Sequence, residues 1–123
     1  MLLDIIPIHD SLLTAIRLGE SALCLSFERE GEKYEMEIEG LVGLYVKNFL
    51  YGNIVFSCYI YSIPINADDV SSISNLVKEY CEFYKDPNML SESGKVIIIA
   101  SSYGAELMAT FTGQHVHKNL SGK

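Results

Sequence analysis

Over residues 23–28 and again over 34–39 every second side chain is apolar. Leu23, Leu25 and Phe27 alternate with Cys24, Ser26 and Glu28, and beyond the turn at 30–33 Tyr34, Met36 and Ile38 alternate with Glu35, Glu37 and Glu39. A period of two belongs to an extended chain with one face buried and the other in water; a helix would scatter these residues around its circumference. The stretch therefore reads as a hairpin in a half-buried sheet, and the rest of the chain must supply its other strands and a cover.

Strands are expected at 11–18, 21–29, 34–40, 54–63, 95–101 and 105–112. The third has a continuation through 41–49, where Gly40 and Gly43 permit a bend. In the strand over 54–63, alternation places Ile54, Phe56, Cys58 and Ile60 on the core face and Val55, Tyr59 and Tyr61 on the other, after a turn at 50–53 built on Gly52 and Asn53. Beyond Pro64 the period changes. Val70, Ile73, Val77, Tyr80 and Tyr84 recur at three and four residues, with Asn66 as N-cap and Pro87 as stop, which predicts one amphipathic helix. The run Val96–Ile99 is apolar on both faces and so predicts a strand covered on both sides. The order β-β-β-β-α-β-β predicts an α+β fold, an antiparallel sheet of about six strands with the helix on one face. At 123 residues the chain reads as a single domain, 1–123, with its core over about 9–112 and a fraying tail at 113–123.

The net charge of −7, from 16 acids against 9 lysines and arginines, argues against nucleic acid or anionic lipid as a partner and favours a basic protein. No apolar run approaches the roughly 20 residues of a membrane-spanning helix, and Asp4 and Pro7 interrupt the only apolar stretch near the start; the expected location is the cytoplasm. Cys24, Cys58 and Cys81 share no metal or redox spacing and read as buried thiols.

His9, Asp10 and Ser11 carry the residue types of a hydrolytic triad, but neighbours in an extended chain point to opposite faces and cannot hydrogen-bond in series. Asp10 and Ser11 read instead as shapers of the entry to the first strand. His115 and His117 would share one face of a strand, a weak candidate metal pair that lacks a third ligand. The glycine at 104 is followed by strand-like alternation and not by the Lys-Ser/Thr of a phosphate loop. No catalytic residues and no cofactor are expected. The densest feature is a ridge of Glu28, Glu30, Glu32, Glu35, Glu37 and Glu39, six acids in twelve residues. With Tyr59 and Tyr61 nearby in sequence, it is the candidate partner-binding surface.

Three phrases, His-Asp-Ser at 9–11, Phe-Leu-Tyr-Gly-Asn-Ile at 49–54 and Ser-Ser-Tyr-Gly-Ala-Glu-Leu at 101–107, resemble small bacterial β-rich proteins. Some of these look like immunity proteins of polymorphic toxin and contact-dependent inhibition systems. The resemblance implies a non-catalytic inhibitor that binds a cognate basic toxin domain, such as a nuclease. Two alternatives remain open from the residues: a small-molecule binder or enzyme with a pocket between helix and sheet reached by Tyr80, Tyr84 or the histidines, and a homodimer paired through an edge strand.

Overall fold

The computed structural model describes residues 2–50, 52–63 and 94–119. The described residues form nine strands and no helix: β1 (Leu2–Ile5), β2 (Leu12–Gly19), β3 (Ala22–Arg29), β4 (Glu32–Glu39), β5 (Leu41–Lys47), β6 (Asn53–Ile63), β7 (Gly94–Tyr103), β8 (Glu106–Phe111) and β9 (His115–Asn119). The expected α+β class is thus corrected to an all-β, antiparallel architecture. The one helix in that expectation, over 66–84, lies outside the described residues.

Across the sheet the order is β5-β8-β7-β6-β2-β3-β4-β9, and β1 lies on β6. The expected continuation past Gly40 is present, but as a sharp corner. Gly40 takes φ 70°, and the chain passes from β4, which pairs with β3 and β9, into β5, which pairs with β8. A matching corner at residues 112–114 carries β8 into β9. Thr112 N–H donates to Gly40 C=O, Gly113 N–H to Glu39 C=O and Glu39 N–H to Gln114 C=O, each at 2.9 Å, so the ladder continues unbroken through both corners. The sheet therefore closes on itself. One half, β5-β8-β7-β6, faces the other, β2-β3-β4-β9, with the bent strands as one seam and the short β2–β6 contact as the other.

Both halves feed one core. Leu23, Leu25, Phe27, Met36 and Ile38 meet Ile97, Ile99, Leu107, Ala109 and Phe111 in a single buried cluster. The alternation in β3 and β4 is therefore the inside–outside pattern of this barrel. Val96 to Ile99 are all buried, Val96 and Ile98 outside that cluster, as expected of a strand covered on both faces.

Two expectations shift. In β6 the register slips between Ile54 and Val55 and again between Val55 and Ser57. These bulges bring Val55 into the core and leave Phe56 58 % exposed, reversing the expected alternation at the start of the strand, while Cys58 and Ile60 are in the core as expected. At the other end of the chain the segment expected to fray holds β9, paired with β4 from His115 to Asn119. No helix of the described residues is long and apolar enough to cross a membrane.

Candidate functional site

The suspected triad is the point from which the site is best built. Ser11 is buried, its N–H donates to Ile8 C=O at 3.0 Å, and its carbonyl accepts from Val55 N–H at 2.9 Å. Asp10 takes φ 66°, a conformation that Asp tolerates better than most residues, and its N–H donates to Val55 C=O. Its carboxylate lies 3.3 Å from His9 Nδ1 on the exposed outside, where the His9 ring meets Phe56 edge-on at 5.8 Å. The three residues thus anchor the chain to β6, with the serine turned away from the histidine–aspartate pair.

Two of the three sequence phrases meet at Asn53, which bonds Leu50 and Ala105, and the third, at 9–11, bonds Val55 two residues further along β6. Asn53 is the first residue of β6 and not a turn residue; the positive φ belongs to Gly52, at 83°. Asn53 is 2 % exposed and uses both ends of its amide. Nδ2 donates to Leu13 C=O at 3.1 Å and to Leu50 C=O at 2.5 Å, while Oδ1 accepts from Leu50 N–H at 2.7 Å and Ala105 N–H at 2.9 Å. One side chain thereby ties β2, the chain at Leu50 and the turn before β8 to one another.

On the outer surface at this end, cross-strand pairing aligns Glu28, Leu12, Ile54 and Tyr103 in one row over β3, β2, β6 and β7. Residues directly opposite in a ladder share a face, so the row is a carboxylate followed by three apolar groups. Leu12 is 37 % exposed and Tyr103 55 %. Beside the row, Leu12, Thr14, Glu28, Phe49, Leu50 and Gly52 are among the residues lining a cleft of about 800 Å³. A second hollow, about 320 Å³, is lined by Asp10, Leu12, Glu28, Arg29 and Glu30. Leu12 and Glu28 are the wall the two share.

The acidic ridge divides into two groups. On the outer face of the β3–β4 hairpin Glu35 binds Arg17 at 2.8 Å and Glu37 lies 3.7 Å from Lys118; these are exposed pairs of small energetic weight. Glu39 is exposed at the end of β4. Glu32 accepts from the Tyr34 hydroxyl at 2.6 Å, which holds the phenol above its ordinary pKa. Among the described residues neither Glu28 nor Glu30 makes an ion pair, and both border the hollows. Tyr59 and Tyr61 do not join the ridge: they lie on β6, their rings 6.2 Å apart, and Tyr61 is buried. Sequence reasoning gives Leu12 no role and names Phe49 and Leu50 only within the phrase at 49–54. Their signal is contact between strands far apart in the chain, which periodicity does not carry.

His115 and His117 lie on one face of β9. His115 Nε2 contacts Asp4 of β1 at 3.1 Å, and His117 stacks on Tyr34 with centroids 5.6 Å apart and planes 17° from parallel. Among the described residues no group of three or more His, Cys, Asp or Glu is placed to hold a metal ion. Burial lowers the His117 pKa from its ordinary 6.5, against a smaller opposing pull from Asp4. The unfolded chain therefore takes up this proton first as pH falls below 6.5, and the stability His117 contributes above that value is lost on acidification. His117→Phe, which can keep the stack on Tyr34 without titrating, is expected to flatten the acid side of the stability profile, measured by urea unfolding at a series of pH values.

Cys58 is buried, which pushes its thiol pKa well above the usual range, and half-buried Cys24 lies 3.1 Å from Arg17 Nη2. Cys81, and the Tyr80 and Tyr84 of the expected helix–sheet pocket, lie outside the described residues. Comparison with family models, curated proteins and solved structures found no significant match.

Proposed function

We propose that this chain is a non-catalytic protein-binding module that acts in the cytoplasm as an immunity protein, neutralising a basic toxin domain such as a nuclease by direct binding. The observation that carries the reading is the juxtaposition of Glu28 and Glu30, free of ion pairs among the described residues, with the exposed apolar row and cleft of Leu12, Phe49 and Leu50. Carboxylates at the rim steer a cationic partner and fix its orientation, while apolar area removed from water slows its dissociation. The chain's overall charge of −7 acts in the same direction at long range.

The test begins with capture of the tagged protein from its own cells at low and high salt, followed by titration against the partner so identified. Glu28→Lys with Glu30→Lys is expected to weaken binding by about tenfold or more, chiefly through slower association, and to reduce the salt dependence. Reversal of Glu35, Glu37 and Glu39, two of which already face cations, is expected to have the smaller effect. Affinity and salt dependence left unchanged by both triple and double reversals would sink the reading.

A further inference from the structure

We infer, building on the protein-binding reading above, that the cleft beside Leu12 seats one extended segment of the partner in which an aromatic side chain has lysine or arginine two residues away, on the same face. The two hollows have different chemistry and a common wall. The larger is floored and sided by Leu12, Leu13, Phe49 and Leu50, and its volume of about 800 Å³ falls within the range of roughly 300–1,000 Å³ usual for ligand clefts. The smaller presents three carboxylates, Asp10, Glu28 and Glu30, against the single guanidinium of Arg29. An occupant that fills both must be apolar at one point and cationic at the next.

Glu28 stands at the boundary, opposite Leu12 in the β2–β3 ladder. A carboxylate beside apolar surface is poorly screened once a partner covers it, so it rewards a cation placed there and penalises an anion. This selects a basic flank next to the aromatic anchor.

The backbone favours an extended occupant. β2 is paired with β6 only at Leu12 and Leu13, so from Thr14 to Gly19 it has β3 on one side and no strand among the described residues on the other. Thr14, the first residue of that stretch left unpaired by the described strands, is also a wall of the cleft. A segment added along an open edge gains main-chain hydrogen bonds and sends alternate side chains to one face, which puts its anchor and its cations on predictable positions.

The experiment is an NMR titration of the isotopically labelled full chain with the blocked peptide acetyl-KVFVKV-amide, whose phenylalanine and lysines share one face when extended, using KVAVKV and EVFVEV as controls. The expected result is a set of shifts confined to Leu12, Thr14, Glu28, Leu50 and Gly52, with each control binding at least about fivefold more weakly. Glu28→Gln with Glu30→Gln is expected to erase the preference over EVFVEV, and Leu50→Ser the preference over KVAVKV; both replace exposed or half-exposed side chains and leave the core intact. Equal shifts from all three peptides, or shifts elsewhere on the barrel, would overturn the inference. Concentration-dependent shifts at the cleft without peptide would name a second copy of the chain as occupant and overturn it too. If the peptides miss the cleft while the captured partner still binds in a salt-sensitive way, the anchor site falls and the protein-binding reading stands. If no protein is retained by the wild-type chain, that reading falls as well.

Discussion

Replacing Asn53 with alanine is expected to lower the stability of the fold by about 3–5 kcal/mol, the largest loss from any single polar substitution among the described residues. The amide is 2 % exposed and makes four hydrogen bonds, so alanine leaves the N–H groups of Leu50 and Ala105 and the carbonyls of Leu13 and Leu50 short of a partner in one place. Each stranded buried group costs about 1–3 kcal/mol, reduced where the site relaxes or admits water. Asn53→Asp is expected to be at least as damaging, because a carboxylate cannot donate to the two carbonyls and would be a charge without water. Urea unfolding monitored by circular dichroism checks both: the midpoint should fall with little change in slope. A midpoint like that of the wild type would show that the loop and the two strands are held together by other means.

Gly113→Ala is expected to cost about 2–4 kcal/mol, by a different mechanism. A methyl group at Gly113 would lie 2.6 Å from the Glu39 carbonyl oxygen and 2.8 Å from its carbon, and neither belongs to a side chain that can swing away. Gly40 is its counterpart, with φ 70° and a would-be Cβ 2.9 Å from the Gly113 nitrogen. The two strands cross here at backbone contact, and Lys95 Nζ adds a hydrogen bond to the Gly113 carbonyl at 2.8 Å. Gly19→Ala is the control, since its nearest neighbour would be 3.9 Å away; it is expected to stay within about 1 kcal/mol of the wild type. Equal melting curves for the two variants would mean that the corner opens at little cost.

The strands were legible where one face is apolar and the other polar. Leu23, Leu25 and Phe27, or Met36 and Ile38, announce themselves by period alone, and the uninterrupted run Val96–Ile99 announces burial on both faces. β1 and β9 were not legible. In β1 all four residues are exposed, so Leu2, Leu3 and Ile5 do not sort by face, and β9 offers His115, His117 and Lys118 in place of an apolar stripe. The phase of β6 was read rightly at Cys58 and Ile60 and wrongly at Val55 and Phe56, because bulges around Val55 are set by what the neighbouring strands require, which alternation within β6 does not encode. Closure was hidden for the same reason: Gly40 marks a bend, but nothing near it says that the partner across the bend is Thr112 and Gly113.

The candidate site was legible in its charge and not in its shape. Six glutamates stand out in the sequence, but the distinction between Glu35 and Glu37, which face Arg17 and Lys118, and Glu28 and Glu30, which border the hollows, depends on strand neighbours. Tyr59 and Tyr61 are near the ridge in sequence and separate from it in space, because β6 meets the hairpin half of the barrel only through the first residues of β2.

The two glycine corners also order events in time. The bond from Thr112 Oγ1 to the Gly40 carbonyl spans 72 positions of the chain, whereas β2, β3 and β4 are joined by turns of a few residues. Hairpins of that local kind form in about 1–10 μs, while a contact between distant stretches waits on the entropy of closing the long loop between them. The β2–β3–β4 meander can therefore assemble early, and the seam between β4–β5 and β8–β9 closes late, where Gly113 meets the Glu39 backbone with no side chain of its own to cushion a misaligned approach. Folding rate, more than binding, is where the geometry of that corner is felt.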